Sequence, residues 1–243
     1  MALINDGRPK KIVALSLDDS VTQDERFIEI LKKYDMPCTF NLNSGQFGMK
    51  DMIGPPEKRV PHDGVPVEKA RYLYKGYEVA AHTLHHPALD TLPREEVIHE
   101  IEGDRVQIEE ITGQKVYGLG LPGMNRFNDM VLDVVRNETP LIYTRTVEFT
   151  NGFGLPTADG LYRWAPTCFF LDEDHCPELT DVFEAAVPKE DMLFFIVGHT
   201  YEFDIMENWD WLDSYIARLA NMKDVIPATC AEVALYVRSK ENV

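Results

Sequence analysis

Cysteine is scarce in this 243-residue chain: Cys38, Cys168, Cys176 and Cys230 are the full set. They are scattered without a C-x-x-C pair, which spells out neither a zinc knuckle nor a dithiol redox motif and predicts buried free thiols. Positive charge is short as well. Against 41 acidic residues stand 24 basic ones, a net charge of −17 that argues against nucleic acid, anionic lipid or an anionic polymer as the main partner. A small neutral or amine-bearing substrate fits that balance better. No apolar run approaches the roughly 20 residues of a membrane span, and no repeat or low-complexity segment breaks the chain. The opening "MALINDGRPKK" lacks a signal peptide's apolar stretch, so a cytoplasmic protein with no membrane partner is the expectation. Whether copies assemble into a homo-oligomer is left open by the sequence.

What the chain does have is a series of short apolar runs alternating with helical stripes, the pattern of strands buried on both faces by crossover helices. The runs are Ile12 to Leu17, "CTFNLN", "YEVAAH", "VYGLGL", "LIYTRT", "LFFIVGH" and "VIPAT". Between them, Thr22 opens "TQDE" as a candidate capping box ahead of Phe27, Ile30, Leu31 and Tyr34. Val97, Ile101, Ile108 and Ile111 mark a helix ending at Gly113, Asn128 can cap one bearing Val131, Val134 and Val135, and Trp211, Leu212, Tyr215, Ile216 and Leu219 form another stripe. About seven strand and helix repeats predict one α/β domain over residues 1–243. A distorted (β/α) barrel is the expected form, with an open doubly wound sheet as the alternative.

In either architecture the functional loops follow the C-terminal ends of strands. Asp18 and Asp19 lie at such an end, as do His82, which opens "HTLHH", and His199, which closes "LFFIVGH". Two adjacent carboxylates repel each other and cost free energy when buried, so a cation is expected nearby. If "HTLHH" begins a helical turn, His82 and His86 share a face and can bridge one divalent metal, with Asp18 or Asp19 completing a His/His/Asp set that leaves positions open for water and substrate. The other carboxylate is then free to act as a base. His85 is the rival ligand. One divalent ion per chain is expected, with zinc first and cobalt, nickel or iron able to occupy the same donors.

The order "SLDDS", "HTLHH", "FFIVGHTYEF" resembles the polysaccharide deacetylase family, the group sharing the NodB homology domain, from Ile12 to about Val237. "TFNLNSG" and "GHTYEF" are similar to a subgroup of compact members. The resemblance implies a distorted β/α barrel, Asp19, His82 and His86 as metal ligands, Asp18 as general base and His199 as general acid. The implied chemistry is metal-assisted amide hydrolysis of an N-acetylated sugar or short oligosaccharide, with a backbone N–H near Pro122 helping the metal to hold the oxyanion. Two departures stand out. The family's third motif usually carries an Arg before its Pro, an Arg that orients the catalytic Asp, and here "GLGLPGMN" has Leu121 in that place. Arg145 and Arg163, near strand ends, are the candidate substitutes, and each also fits an ordinary ion pair. Ser20 stands where Gly is common. Trp164, Tyr201 and Trp209 are candidate stacking platforms for a sugar ring, and Pro122 and Arg145 candidate substrate contacts. Hydrolysis of another small linear or cyclic amide, or a binding role with impaired chemistry, remain the alternatives.

Overall fold

The computed structural model describes residues 3, 6–171 and 175–241. Its elements run β1 (Lys11–Asp18), α1 (Asp24–Lys33), β2 (Thr39–Leu42), β3 (Met52–Ile53), β4 (Val60–Pro61), α2 (Val67–Leu73), β5 (Glu78–Ala81), α3 (Arg94–Thr112), β6 (Gly118–Gly120) and α4 (Asp129–Glu138). The second half continues with β7 (Tyr143–Arg145), β8 (Cys168–Phe169), α5 (His175–Ala185), β9 (Met192–His199), α6 (Glu202–Met206), α7 (Trp209–Ala220), β10 (Val225–Pro227) and α8 (Cys230–Glu241).

Among the described residues these form one parallel sheet in the order β7-β6-β5-β2-β1-β9-β8, with β10 also on β1. β10 pairs with Lys11–Val13 and β2 with Ser16 and Leu17 farther along the same strand. The sheet curls into a distorted (β/α) barrel, as expected. It is interrupted between β7 and β8, where Trp164 forms a lone bridge to Arg145 and exchanges backbone hydrogen bonds with Thr144 and Thr146.

The period of two along each strand separates two cores. Val13, Leu15 and Leu17 of β1, Phe40 and Leu42 of β2 and Phe194 and Ile196 of β9 pack outward against helices, with Phe27, Ile101 and Ile216. Ile12 and Ala14 of β1, Ala80 of β5 and Leu193, Phe195 and Val197 of β9 point into the barrel with Tyr143 and Trp164. α8 closes the N-terminal end: its Cys230 amide donates to Thr39 Oγ1 at 2.9 Å and its Ala231 amide to Glu78 Oε2 at 2.9 Å.

All seven expected strands are present. β8, the β3–β4 hairpin and α2, α5, α6 and α8 are additions to the expected series; the two-residue strands and the one- or two-turn α2 and α6 carry too few residues to show a period. The helix stripes fall within α1, α3, α4 and α7, and Asn128 caps α4 by accepting from the Val131 amide at 3.1 Å. Gly113 ends α3 in the left-handed region, φ 71. The Thr22 capping box is not formed: α1 starts after Gln23 without a side-chain cap, and Glu25 turns to Lys69 instead. The four cysteines are buried thiols and form no disulfide among the described residues.

Candidate active site

Asp18 and His199 are register partners on neighbouring strands β1 and β9. Both follow the inward-facing alternation, Ile12–Ala14–Ser16–Asp18 and Leu193–Phe195–Val197–His199, so both side chains emerge at the mouth of the barrel. His82 continues Ala80 by the same period, one residue beyond β5. Asp19 comes after β1 with φ 77, and Ser20 follows with φ 49. Two successive non-glycine residues in the left-handed region cost roughly 1–2 kcal/mol each, and the surrounding hydrogen bonds hold them there. Ser20 Oγ accepts from the Asn43 amide at 3.2 Å.

"HTLHH" is a loop rather than the helical turn that spacing suggests: Thr83 has φ 69 and His86 φ 57. Those left-handed residues fold His86 back so that its ring lies 5.0 Å from that of His82. Asn43 Nδ2 donates to the His82 and Thr83 carbonyls at 2.6 and 2.8 Å, and buried Asp104 accepts from the His82 amide at 2.9 Å and the Ser44 amide at 2.7 Å. Burial drives the Asp104 carboxyl up to about 7.

Asp19, His82 and His86 present ligand atoms within 4.8 Å of one another. His82 Nε2 is 3.5 Å and His86 Nε2 3.9 Å from Asp19 Oδ1. The fit of this set to a cation rests on His82. Its Nδ1 donates to the Gly120 carbonyl at 2.7 Å, and a carbonyl can only accept, so the Nε2 lone pair is left facing the carboxylates. That Nε2 is buried without a hydrogen-bond partner. Burial lowers the His82 pKa to about 4, keeping the imidazole neutral and ready to ligate. His85, the rival, points away: its Nδ1 meets Glu100 Oε1 at 2.8 Å and its side chain is 61% exposed.

Asp18 is answered differently. Arg145, fully buried on β7, ion-pairs with Asp18 Oδ1, and Asn41 Nδ2 donates to the same oxygen at 2.7 Å. Burial is the largest influence and opposes ionisation of Asp18, yet the Arg145 charge together with the nearby histidines outweighs it and holds the carboxyl below its usual range. Gly120, register partner of Arg145, opens the path: a Cβ there would stand 2.5 Å from Arg145 Nη2 and 2.8 Å from Asn41 Cγ. A buried cation thus reaches Asp18 from β7. Arg163 is not involved; it pairs with Glu148 at the surface.

Asp19 is also held ionised, with burial outweighed by a hydrogen bond from His62 and by the nearby histidines. His199 Nε2 lies 3.9 Å from Asp18 Oδ2 and 3.8 Å from Asp19 Oδ2, and its Nδ1 donates to Glu202 Oε1 at 3.0 Å. Burial opposes its charge, but Glu202 and Asp19 carry its pKa up to about 9, so it is a proton donor at neutral pH.

These side chains open into a cavity of about 550 Å³ whose wall includes Val21, Met49, Ile53, Leu121, Met124, Phe149 and Phe169 and, among the described residues, no Lys or Arg. Asp18, Asp19, His82, His86, His199 and Tyr201 line it. Arg145, Trp164, Trp209 and Pro122 do not. Arg145 lies beneath Asp18, Trp164 fills the barrel interior between Tyr143 and Phe195, Trp209 packs on Phe203 and Arg26, and Pro122 is buried between two lining residues. Buried aromatics and cavity aromatics look alike in a sequence, which is why composition and spacing do not separate them. His62, a wall residue that no motif marks, escapes sequence reasoning for a different reason: it follows a two-residue strand in an irregular segment.

Solved structures share this architecture. The Xyl-CE4 domain of a multidomain xylanase from the hindgut metagenome of Trinervitermes trinervoides matches at 16% identity and TM-score 0.57, covering 96% of this chain and 92% of that one. Peptidoglycan deacetylase PdaC from Bacillus subtilis matches at 19% identity and TM-score 0.56, over 96% and 94%. A mutant, with restored enzymatic activity, of a CE4 family pseudoenzyme from Bacillus anthracis matches at 19% identity and TM-score 0.56, over 93% of this chain and 68% of that one. No curated protein matches the sequence. Among the described residues no helix is long and apolar enough to cross a membrane. The family model described as polysaccharide deacetylase matches residues 5–139, more than half of the chain, and with the barrel and its strand-end acids and histidines this places the chain in the polysaccharide deacetylase family.

Proposed function

We propose that this chain is a metal-dependent hydrolase that removes the acetyl group from an N-acetylated sugar or short oligosaccharide. The observation that supports this most is the buried, unpartnered His82 Nε2 facing Asp19, with Asp18 and His199 in register beside it. A divalent ion held by Asp19, His82 and His86, zinc by preference, would polarise the amide carbonyl and make a water more acidic. Asp18, fixed by Arg145 and Asn41, accepts the proton of the attacking water. His199, charged through Glu202, donates a proton to the departing amine nitrogen. For the oxyanion, Leu121 N–H is already spent on the Arg145 carbonyl and Pro122 has none, which leaves Gly123 on the cavity wall as the next backbone donor along the chain.

A wall with carboxylates, imidazoles and apolar side chains, and with no Lys or Arg among the described residues, suits a neutral or amine-bearing substrate of modest size over an acidic polymer. The family match and the relative named as a peptidoglycan deacetylase support deacetylation at the family level. Acetate release from a panel of N-acetyl monosaccharides and disaccharides, with zinc or cobalt supplied and with chelator, is the test. Metal-dependent, chelator-sensitive release is expected. Turnover of a cyclic amide without acetate would move the reading to that substrate, and metal binding with no turnover would make this an impaired member.

A further inference from the structure

The residues between β2 and α2 lie outside the strand and helix repeat, yet they reach the centre of the site. Residues 62–65 form a strap hydrogen-bonded on both edges. On one side the Thr22 amide donates to the Asp63 carbonyl at 2.8 Å, the Val65 amide to the Ser20 carbonyl at 2.9 Å, and Val21 bridges Gly64. On the other, the His62 amide donates to the Asp51 carbonyl at 2.8 Å and the Gly64 amide to the Met49 carbonyl at 3.0 Å. Gln23 Nε2 donates to the Pro61 carbonyl at 2.7 Å. The backbone of His62 is therefore tied to the turn that carries Asp19.

Its side chain uses that anchorage. His62 Nε2 is 3.3 Å from Asp19 Oδ2, and its ring packs edge-on against Tyr201 with centroids 5.0 Å apart. The two oxygens of Asp19 thus face different neighbours: Oδ1 faces His82 and His86, while Oδ2 has His62 within hydrogen-bond reach at 3.3 Å and His199 farther off at 3.8 Å. A carboxylate on a turn can rotate about its side-chain bonds, and a donor on the far oxygen fixes the near one. His62 stands outside the Asp19–His82–His86 set of mutually close donors. We infer that His62 is a positioning residue: the strap holds its imidazole so that Nε2–H fixes Asp19 Oδ2 and aims Oδ1 at the metal position. This rests on the metal reading above.

The test is zinc affinity, measured by competition with a chromophoric chelator, for wild type, His62→Ala and His62→Gln, together with urea unfolding of each metal-free protein. His62→Ala is expected to weaken zinc binding on the order of 10–100-fold, with metal-free stability close to wild type. His62→Gln, whose amide can donate to the same oxygen, is expected to recover most of the affinity. Alanine binding as tightly as wild type overturns the inference, as does glutamine no better than alanine. A loss of affinity matched by a loss of metal-free stability that glutamine does not repair also overturns it, in favour of a purely structural role. The wild-type titration reports separately on the metal reading: if wild type binds no zinc, that reading fails and this inference with it.

Discussion

Both ends of the barrel interior bury carboxylates, and they satisfy them by different means. At the closed end, Glu78 accepts from Thr39 Oγ1 at 2.7 Å, from the Ala231 amide at 2.9 Å and from Tyr143 OH at 2.8 Å. All three donors are neutral, and burial still moves the Glu78 carboxyl above its usual range. At the mouth, Asp18 is neutralised by Arg145, while Asp19 faces His82 Nε2, a lone pair with no partner of its own. Glu78, met by neutral donors, fits a structural group, whereas Asp19, set against a bare imidazole nitrogen, has the surroundings that a cation would complete. The pairing of Asp18 with Arg145 also divides the labour of the two adjacent acids. On the proposed reading, the compensated Asp18 takes up a proton and Asp19 keeps its charge for a metal.

Breaking the mouth should give the largest effect. Asp19→Asn is expected to lose metal and activity together, on the order of 10³-fold in kcat/KM, whereas Asp18→Asn keeps its metal and loses on the order of 10²–10⁴ in kcat. Metal content and steady-state kinetics of the two proteins check this, and the opposite pattern would invert the assignment. Gly120→Ala comes next. Its Cβ would meet Arg145 Nη2 at 2.5 Å, displacing the guanidinium from Asp18. A displacement of that kind costs on the order of 10² in kcat and roughly 1–3 kcal/mol of stability, with zinc affinity retained. Kinetics and denaturant unfolding would read the two losses.

At the closed end the effect on chemistry should be smallest. Glu78→Gln turns one accepting oxygen into a donor among donors and is expected to cost roughly 1–3 kcal/mol while leaving metal binding and kcat near wild type. A carboxyl raised above its ordinary value contributes stability that is complete below that value, 4.5, and is lost as pH rises through the folded pKa. The wild type should therefore lose this contribution as pH rises above 4.5, and the Gln variant should not; unfolding curves at several pH values compare them. A large fall in kcat for Glu78→Gln would blur the contrast between the two ends.

Much of the mouth is legible in the amino-acid sequence because the strand period does the placing. Asp18, His82 and His199 each extend an inward-facing row, and apolar runs with period two are what single-chain patterns reveal best. Arg145 is legible only as a candidate. What settles its place is register: Gly118 and Gly120 lie opposite Tyr143 and Arg145, and a Cβ on Gly118 would stand 1.9 Å from the Tyr143 ring. The paired glycines beside a paired Tyr and Arg are the signal, but no sequence states which strands are neighbours. His62 lies in a strap with no periodicity. The left-handed loop that gathers His82 and His86 reads as a helical turn in the sequence because a spacing of four fits both.

On the proposed reading, Asp19, His82 and His86 hold one divalent ion and Asp18 does not ligate it. Elemental analysis and zinc titration of chelator-free wild type, Asp19→Asn and Asp18→Asn address it most directly. One zinc per chain is expected in wild type and in Asp18→Asn, and none in Asp19→Asn. No stoichiometric metal in wild type, or equal binding by all three proteins, would contradict it.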